Sequence, residues 1–344
     1  MFQGMLRERN LPKLLRRNEM LNVLLEEEYG HLPQKPTNLS WKVEENIVRN
    51  FCAGKAVLNK ITITCQIGEK VFSFPFCLAL PTAEGRHPFF IHINFRDSVP
   101  DLYMPTEELI DNGFAVFSLC YTDVTSDNGD FTNGLAGVLY ENGERKPNEA
   151  GKIAMWAWAA QRVMDYAQTL DDVLDLNTSV VCGHSRLGKT ALLTAATDKR
   201  FAFAYSNDSG CSGAAITRKK MGETVKDICK VFPYWFCENY KKYPENEENM
   251  PFDQHFLLAC IAPNYVTVGS ASEDSWADPA GEQLSCFAAS EAFEKQGLTG
   301  FVCDRKAEIG DCFFEGSIGY FLRKGRHFYS REDWNKVITF IKSK

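Results

Sequence analysis

At 344 residues, 44% of them hydrophobic and 24% charged, the chain has the composition of a soluble globular protein able to bury one large core. A formal net charge of −7 with no dense basic run excludes nonspecific nucleic-acid binding. No apolar stretch approaches the roughly 18 residues needed to cross a bilayer, so no membrane partner is expected. Leu6 to Arg17 is charged throughout and lacks the apolar centre of a secretory signal, which predicts a cytoplasmic protein. The twelve cysteines stand singly, with no C-x-x-C pair and no Cys/His spacing suited to zinc. They read as small packed thiols in a reducing compartment, and no metal or cofactor is expected.

In chain order, Leu11 to Tyr29 alternates Leu and Met with Arg and Glu at helical spacing and predicts an amphipathic helix. Pro33 and Pro36 end it, making residues 1–40 a helix and lead-in to one large domain over 41–344. Residues 61–66 and 71–80 read as strands paired around Gly68. Residues 89–95 and 114–120 are buried strands separated by a helix near 106–111. The polar excursion over 123–150, rich in Asp, Asn and Gly, exceeds usual loop length and is expected to ride on the surface or rim. A helix over 151–170 carries Trp156 and Trp158, both read as core. After the segment described next come a strand at 201–206 and an irregular, cap-like insertion near 211–250. A helix at 252–260, a strand at 265–270, a helix at 279–296, a strand at 319–322 and a closing helix at 332–342 complete the chain. Strands alternating with helices predict a mainly parallel sheet flanked by helices, an α/β class.

The chain is organised around Thr178 to Thr197, where Val180, Val181 and Cys182 meet Gly183 and Gly188 and then an Ala- and Leu-rich run. That pattern is a buried strand, a tight turn and a helix. Gly183 to Thr190 fits the phosphate loop G-x-x-x-x-G-K-S/T of nucleoside triphosphatases. The same residues fit a strand–nucleophile–helix elbow with Ser185 as nucleophile, although Leu187 stands where that motif has its second glycine. A bland glycine-rich connection is the third reading. The rest of the chain favours the elbow. Ser185 follows one strand, Asp208 the next, Glu273 and Asp274 the one after, and His327 the last, which is the order nucleophile, acid, base. A serine hydroxyl needs an imidazole to take its proton, and the imidazole needs a carboxylate to hold its tautomer. Backbone N–H groups opening the helix after Ser185, with Arg186 beside them, suit a developing oxyanion. His87, His92, His184 and His255 carry no chemical reading of their own.

Gly183-His-Ser-Arg-Leu-Gly-Lys189 resembles the elbow of the glucuronoyl esterases, carbohydrate esterase family 15. The similarity extends over about 85–335, through Trp156 to Tyr166, Ser206 to Ala215 and Pro251 to Pro263. The resemblance implies an α/β-hydrolase fold, a three-layer sandwich, and a serine carboxylesterase acting on esters of glucuronic or 4-O-methylglucuronic acid without metal. It matches Ser185 to the nucleophile, His327 to the base and Arg186 to an oxyanion-hole arginine. Lys189, Trp276 and Glu223 fall at substrate-contacting positions. The acid falls to Asp274, with Asp208 as alternative or support and Glu273 weaker. Fungal members place a disulfide-bonded Cys before the nucleophile; here His184 and Phe328 leave that tether out. A carbohydrate deacetylase with the same triad, an inactive carbohydrate-binding relative and a phosphate-loop enzyme are the rival readings.

Overall fold

The computed structural model describes residue 4 and residues 8–344. The expectations for residues 1–3 and 5–7, within the lead-in, lie outside the described residues.

Ten strands form one sheet: β1 (Asn38–Glu44), β2 (Ala56–Ile67), β3 (Lys70–Pro81), β4 (His87–Asn94), β5 (Ala115–Cys120), β6 (Leu174–His184), β7 (Phe203–Asn207), β8 (Tyr265–Ala271), β9 (Cys312–Phe313) and β10 (Ile318–Arg323). Their order is β1-β2-β3-β5-β4-β6-β7-β8-β10-β9. From β5 to β10 every neighbour runs parallel, and antiparallel strands close both edges. The predicted hairpin is β2–β3. Ile61, Ile63 and Cys65 are buried while Thr62 and Thr64 between them are not, the alternation of a half-covered sheet. β5, in contrast, is buried at every residue, as an interior strand covered on both faces must be. Two strands were not anticipated. β1 is an edge strand whose residues are all exposed or half-exposed, so it lacks an apolar signal, and β9 is two residues long.

Helices cover both faces. Phe90, on one face, packs with α2 (Thr106–Asp111) and α9 (Arg331–Lys342) through Leu109, Trp334 and Phe340. Phe89 and Ile91, on the other, belong to the core that α4 (Lys152–Ala167), α5 (Arg186–Thr197), α7 (His255–Ala259) and α8 (Pro279–Glu294) share. This is the expected three-layer α/β-hydrolase sandwich. Trp156 and Trp158 are fully buried, their indole N–H groups donating to Thr125 O and Gln34 O.

One expectation needs correction and another a refinement. The N-terminal helix begins at Arg17, not Leu11: α1 (Arg17–Leu24) continues into a π-helical turn over Leu25–Tyr29. Residues 11–16 take up no helix because Pro12 lacks an N–H and its carbonyl is held by His255 Nε2 at 2.9 Å. The 123–150 excursion keeps its polar residues at the surface, as expected, but is anchored from within. Val124, Phe131, Leu135, Ala136 and Ala150 are buried in the main core around α3 (Gly134–Leu139). Its polar residues close their own turns; Asp130, for example, accepts from Thr132 N, Thr132 Oγ1 and Asn133 Nδ2. The 211–250 insertion is built of α6 (Val225–Val231) and three short 3₁₀ turns, Pro233–Trp235, Glu238–Lys242 and Glu247–Asn249.

Order along the sheet decides where chemistry sits. After β5 the chain crosses back over β4 to lay down β6, so the connections that leave β4 and β6 run in opposite directions. Such a reversal opens a crevice at the carboxyl ends of the strands.

Candidate active site

β6 ends at His184, and Ser185 turns the chain directly into α5. The turn puts Ser185 at φ 57°, ψ −127°, a strained conformation of order 1–3 kcal/mol for a non-glycine residue. The surroundings enforce it: Ser185 N donates to Asn207 O at 2.8 Å, and Ser185 O accepts from Gly188 N. Gly183 is required by close approach, since a Cβ there would meet Leu187 O at 2.3 Å. Gly188 passes close to β7, where a Cβ would lie 3.0 Å from Ser206 Oγ. Leu187 is fully buried in the core. The second glycine is thus needed one position later than in the usual elbow, which accounts for the departure in the motif.

The carboxyl ends of β6, β7, β8 and β10 bring together Ser185, Asp208, Asp274 and His327 on a cavity of about 330 Å³. His327 Nδ1 lies 2.6 Å from Asp274 Oδ2. An ionised carboxylate only accepts, so Nδ1 carries the proton and Nε2 is left as the base. Asp274 is buried, and the imidazole is partly open to solvent. Ser185 Oγ makes no hydrogen bond to another described residue. In serine hydrolases that bond to the base tightens when substrate is bound.

Asp208 does not contact His327 through a hydrogen bond. Its Oδ1 accepts from Ala271 N at 2.7 Å and its Oδ2 from Arg323 Nη2 at 3.3 Å. Burial pushes its carboxyl well above the usual range, with Glu282 and Asp333 adding to the shift and Arg323 opposing it. Arg323 also donates to Asp333 at 2.7 Å, to Arg326 O at 3.1 Å and to Phe328 O, bracketing the loop that carries His327. Asp208 therefore fixes β8 and the histidine loop, while Asp274 meets the histidine. Glu273 lies outside this arrangement, 48% exposed and 3.6 Å from Arg326.

His184, read as bland, is a neighbour of the base. Its ring centroid is 4.4 Å from that of His327, and it stacks on Tyr103, which in turn packs on Phe328. Asn207 Nδ2 donates to Tyr205 OH, so Asn207 Oδ1 accepts from His184 Nδ1 at 2.7 Å. Burial, then the proximity of His327, holds His184 well below the ordinary imidazole range, so it stays neutral. In place of a tether the base rests on aromatic packing.

Arg186, the first residue of α5, extends along the cavity wall. Its guanidinium pairs with Asp127 and lies over Trp235 at 4.6 Å, Phe232 at 5.3 Å and Phe95 at 5.7 Å. Lys189 lines the cavity floor, almost fully buried, with Nζ donating to Cys211 O at 2.5 Å and to Ser209 O. Burial lowers its pKa, partly countered by Glu223. Glu223 and Trp276 form another wall, tied by Glu223 N donating to Trp276 O at 3.0 Å, and the Trp276 ring is 56% exposed at the mouth. The cap contributes Phe232 and Trp235. Sequence reasoning missed Asp127, Arg323, Phe232 and Trp235 as site residues. The run Pro233-Tyr-Trp-Phe236 was visible as a cap, but no local signal joins Asp127 to an arginine 59 positions away.

Among the described residues, the one group able to offer metal ligands within 4.8 Å of one another is Asp208, Asp274 and His327. Four of their ligand atoms, both oxygens of Asp208, Asp274 Oδ2 and His327 Nδ1, are already engaged by Ala271, Arg323 and each other.

The family described as "Glucuronyl esterase, fungi" matches residues 63–297, and the chain belongs to it. It is 39% identical over 236 residues to carbohydrate esterase MZ0003 from an unknown prokaryotic organism, covering 68% of this chain and 54% of that protein. It is 27% identical over 285 residues to a 4-O-methyl-glucuronoyl methylesterase of Podospora anserina, covering 78% and 52%. The chain thus spans about half the length of these two curated relatives. A solved structure of a glucuronoyl esterase from Solibacter usitatus superposes with a TM-score of 0.87 at 31% identity, over 95% of this chain and 91% of that one.

Proposed function

We propose that the chain is a serine carboxylesterase that hydrolyses esters of glucuronic or 4-O-methylglucuronic acid. The observation that carries this reading is the 2.6 Å His327–Asp274 pair, set on the same cavity as the strained Ser185 elbow. Ser185 Oγ attacks the ester carbonyl while His327 Nε2 takes its proton. The buried Asp274 carboxylate stabilises the imidazolium that forms. Charge on the carbonyl oxygen builds beside the N–H groups opening α5 and the Arg186 guanidinium. The imidazolium then protonates the departing alcohol oxygen, leaving a uronoyl ester on Ser185. Water, deprotonated by His327, releases the free acid and the serine.

The uronate half of the reading is supported by the cavity walls. Arg186, Lys189 and Glu223, with the exposed Trp276 face, suit a hydroxylated ring rather than an alkyl chain. It is supported too by the family and by the activities named for the Solibacter and Podospora relatives. The test is a direct comparison of kcat/KM for methyl glucuronate and for an aryl acetate. A preference for the uronate ester is expected. A preference for the acetate would retain the triad and remove the uronate assignment.

A further inference from the structure

We infer that Asp127 is a positioning residue for the oxyanion side of the site, holding Arg186 in the orientation that faces the reacting carbonyl. It comes from the polar excursion between β5 and α4, which does not itself line the cavity; Asp127 sits behind the wall, against the lining residues Arg186 and Trp235. Its carboxylate gathers three donors. Oδ2 accepts from Arg186 Nη1 and from Tyr121 OH at 2.9 Å, and Oδ1 accepts from Trp235 Nε1 at 2.7 Å. The backbone carbonyl of Asp127 accepts from Tyr234 OH at 3.2 Å, so the cap is fastened to the same residue. The side chain is only 11% exposed.

The arrangement does more than neutralise a charge. Trp235, whose ring lies 4.6 Å from the guanidinium carbon, is itself held by the carboxylate that holds the guanidinium. Aromatic faces restrict where a guanidinium sits but leave it free to rotate in its plane, whereas a carboxylate bond to one nitrogen fixes the rotation. With Nη1 engaged by Asp127, the remaining N–H groups are oriented in advance. An oxyanion donor is effective only when its orientation costs nothing at the moment charge develops. Asp127 does not touch substrate in this scheme; it acts through Arg186.

The inference rests on the esterase reading but not on the identity of the sugar, because an oxyanion forms on every ester. The experiment therefore measures kcat and KM on both methyl glucuronate and an aryl acetate for native enzyme, Asp127→Asn, Asp127→Glu, Arg186→Met and the Asp127→Asn/Arg186→Met double variant. Asp127→Asn is expected to lower kcat roughly 10- to 100-fold on both esters, with KM changed by less than about threefold. Asp127→Glu, which keeps the charge, should recover part of the loss. In the Arg186→Met background the Asp127→Asn change should cost nothing further. If Arg186→Met lowers kcat and Asp127→Asn does not, or if the two losses multiply, the positioning role is overturned while the esterase reading stands. If Asp127→Asn acts only by raising KM, its role is in holding the cap and the inference is equally overturned. Turnover of neither ester by native enzyme overturns both together.

Discussion

Two acids stand within reach of one histidine, and their surroundings give them different work. Asp274 has the short contact to His327 Nδ1, while Asp208 spends both oxygens on Ala271 N and Arg323. Replacing Asp274 with Asn offers His327 an amide that can favour the wrong tautomer, and kcat should fall roughly 10³- to 10⁴-fold with little change in folding. Replacing Asp208 with Asn leaves that tautomer in place but uncouples β8 from the histidine loop, so its larger effect should be on the unfolding midpoint. Kinetics and denaturant unfolding of the two single variants check this; an Asp274→Asn enzyme with native kcat would remove the assignment. The sequence already carried the candidates at this scale. Ser185, Asp208, Asp274 and His327 each follow an apolar run, which is legible, but which acid meets the base depends on loop geometry. His184 was illegible for a different reason. Nothing beside it in sequence shows that its ring lies against a residue 143 positions later, so only the fold reveals the contact.

At the scale of elements, long periodic segments were legible and edges were not. α4, α5, α8 and α9 fall where apolar spacing predicts them, because each buries a continuous face. β1 escaped because an edge strand has no face to bury, and the start of α1 moved because Pro12 spends its carbonyl on His255. The turn that ends α1 has a consequence for stability. Glu28 is completely buried, accepting from Gln254 Nε2 at 3.0 and 3.2 Å, and burial pushes its carboxyl up to about 8. A folded-state pKa raised from 4.5 means the native form holds the proton longer than the unfolded chain. The stability from this group is complete below about pH 4.5 and is lost as pH rises through about 8. Urea unfolding across that window should show the native protein weakening with rising pH, and Glu28→Gln should flatten that part of the slope. An unchanged slope in the variant would assign the dependence to other groups.

Across the whole molecule, the parallel order from β5 to β10 collects four chain-distant residues at one end of the sheet. The alternation of strands and helices made that layout legible, since successive parallel strands must place their carboxyl ends together. What the pattern could not supply was the packing of the polar excursion. Its Asp, Asn and Gly residues are largely solvent-facing, as read, but they also close tight turns around a buried apolar set and place Asp127 against Arg186 and Trp235. The glycine and lysine spacing that also fits a phosphate loop is accounted for by packing. Gly183 and Gly188 let α5 approach β6 and β7, and Lys189 is held on the carbonyls of Ser209 and Cys211. The central claim is that this convergence makes Ser185 an acylated nucleophile. The most direct measurement is kcat on methyl glucuronate for native enzyme and for Ser185→Ala, with circular dichroism to show that both are folded. The account predicts a loss of roughly 10⁴-fold or more in the folded variant. A folded Ser185→Ala protein that still cleaves the ester at the native rate would contradict it.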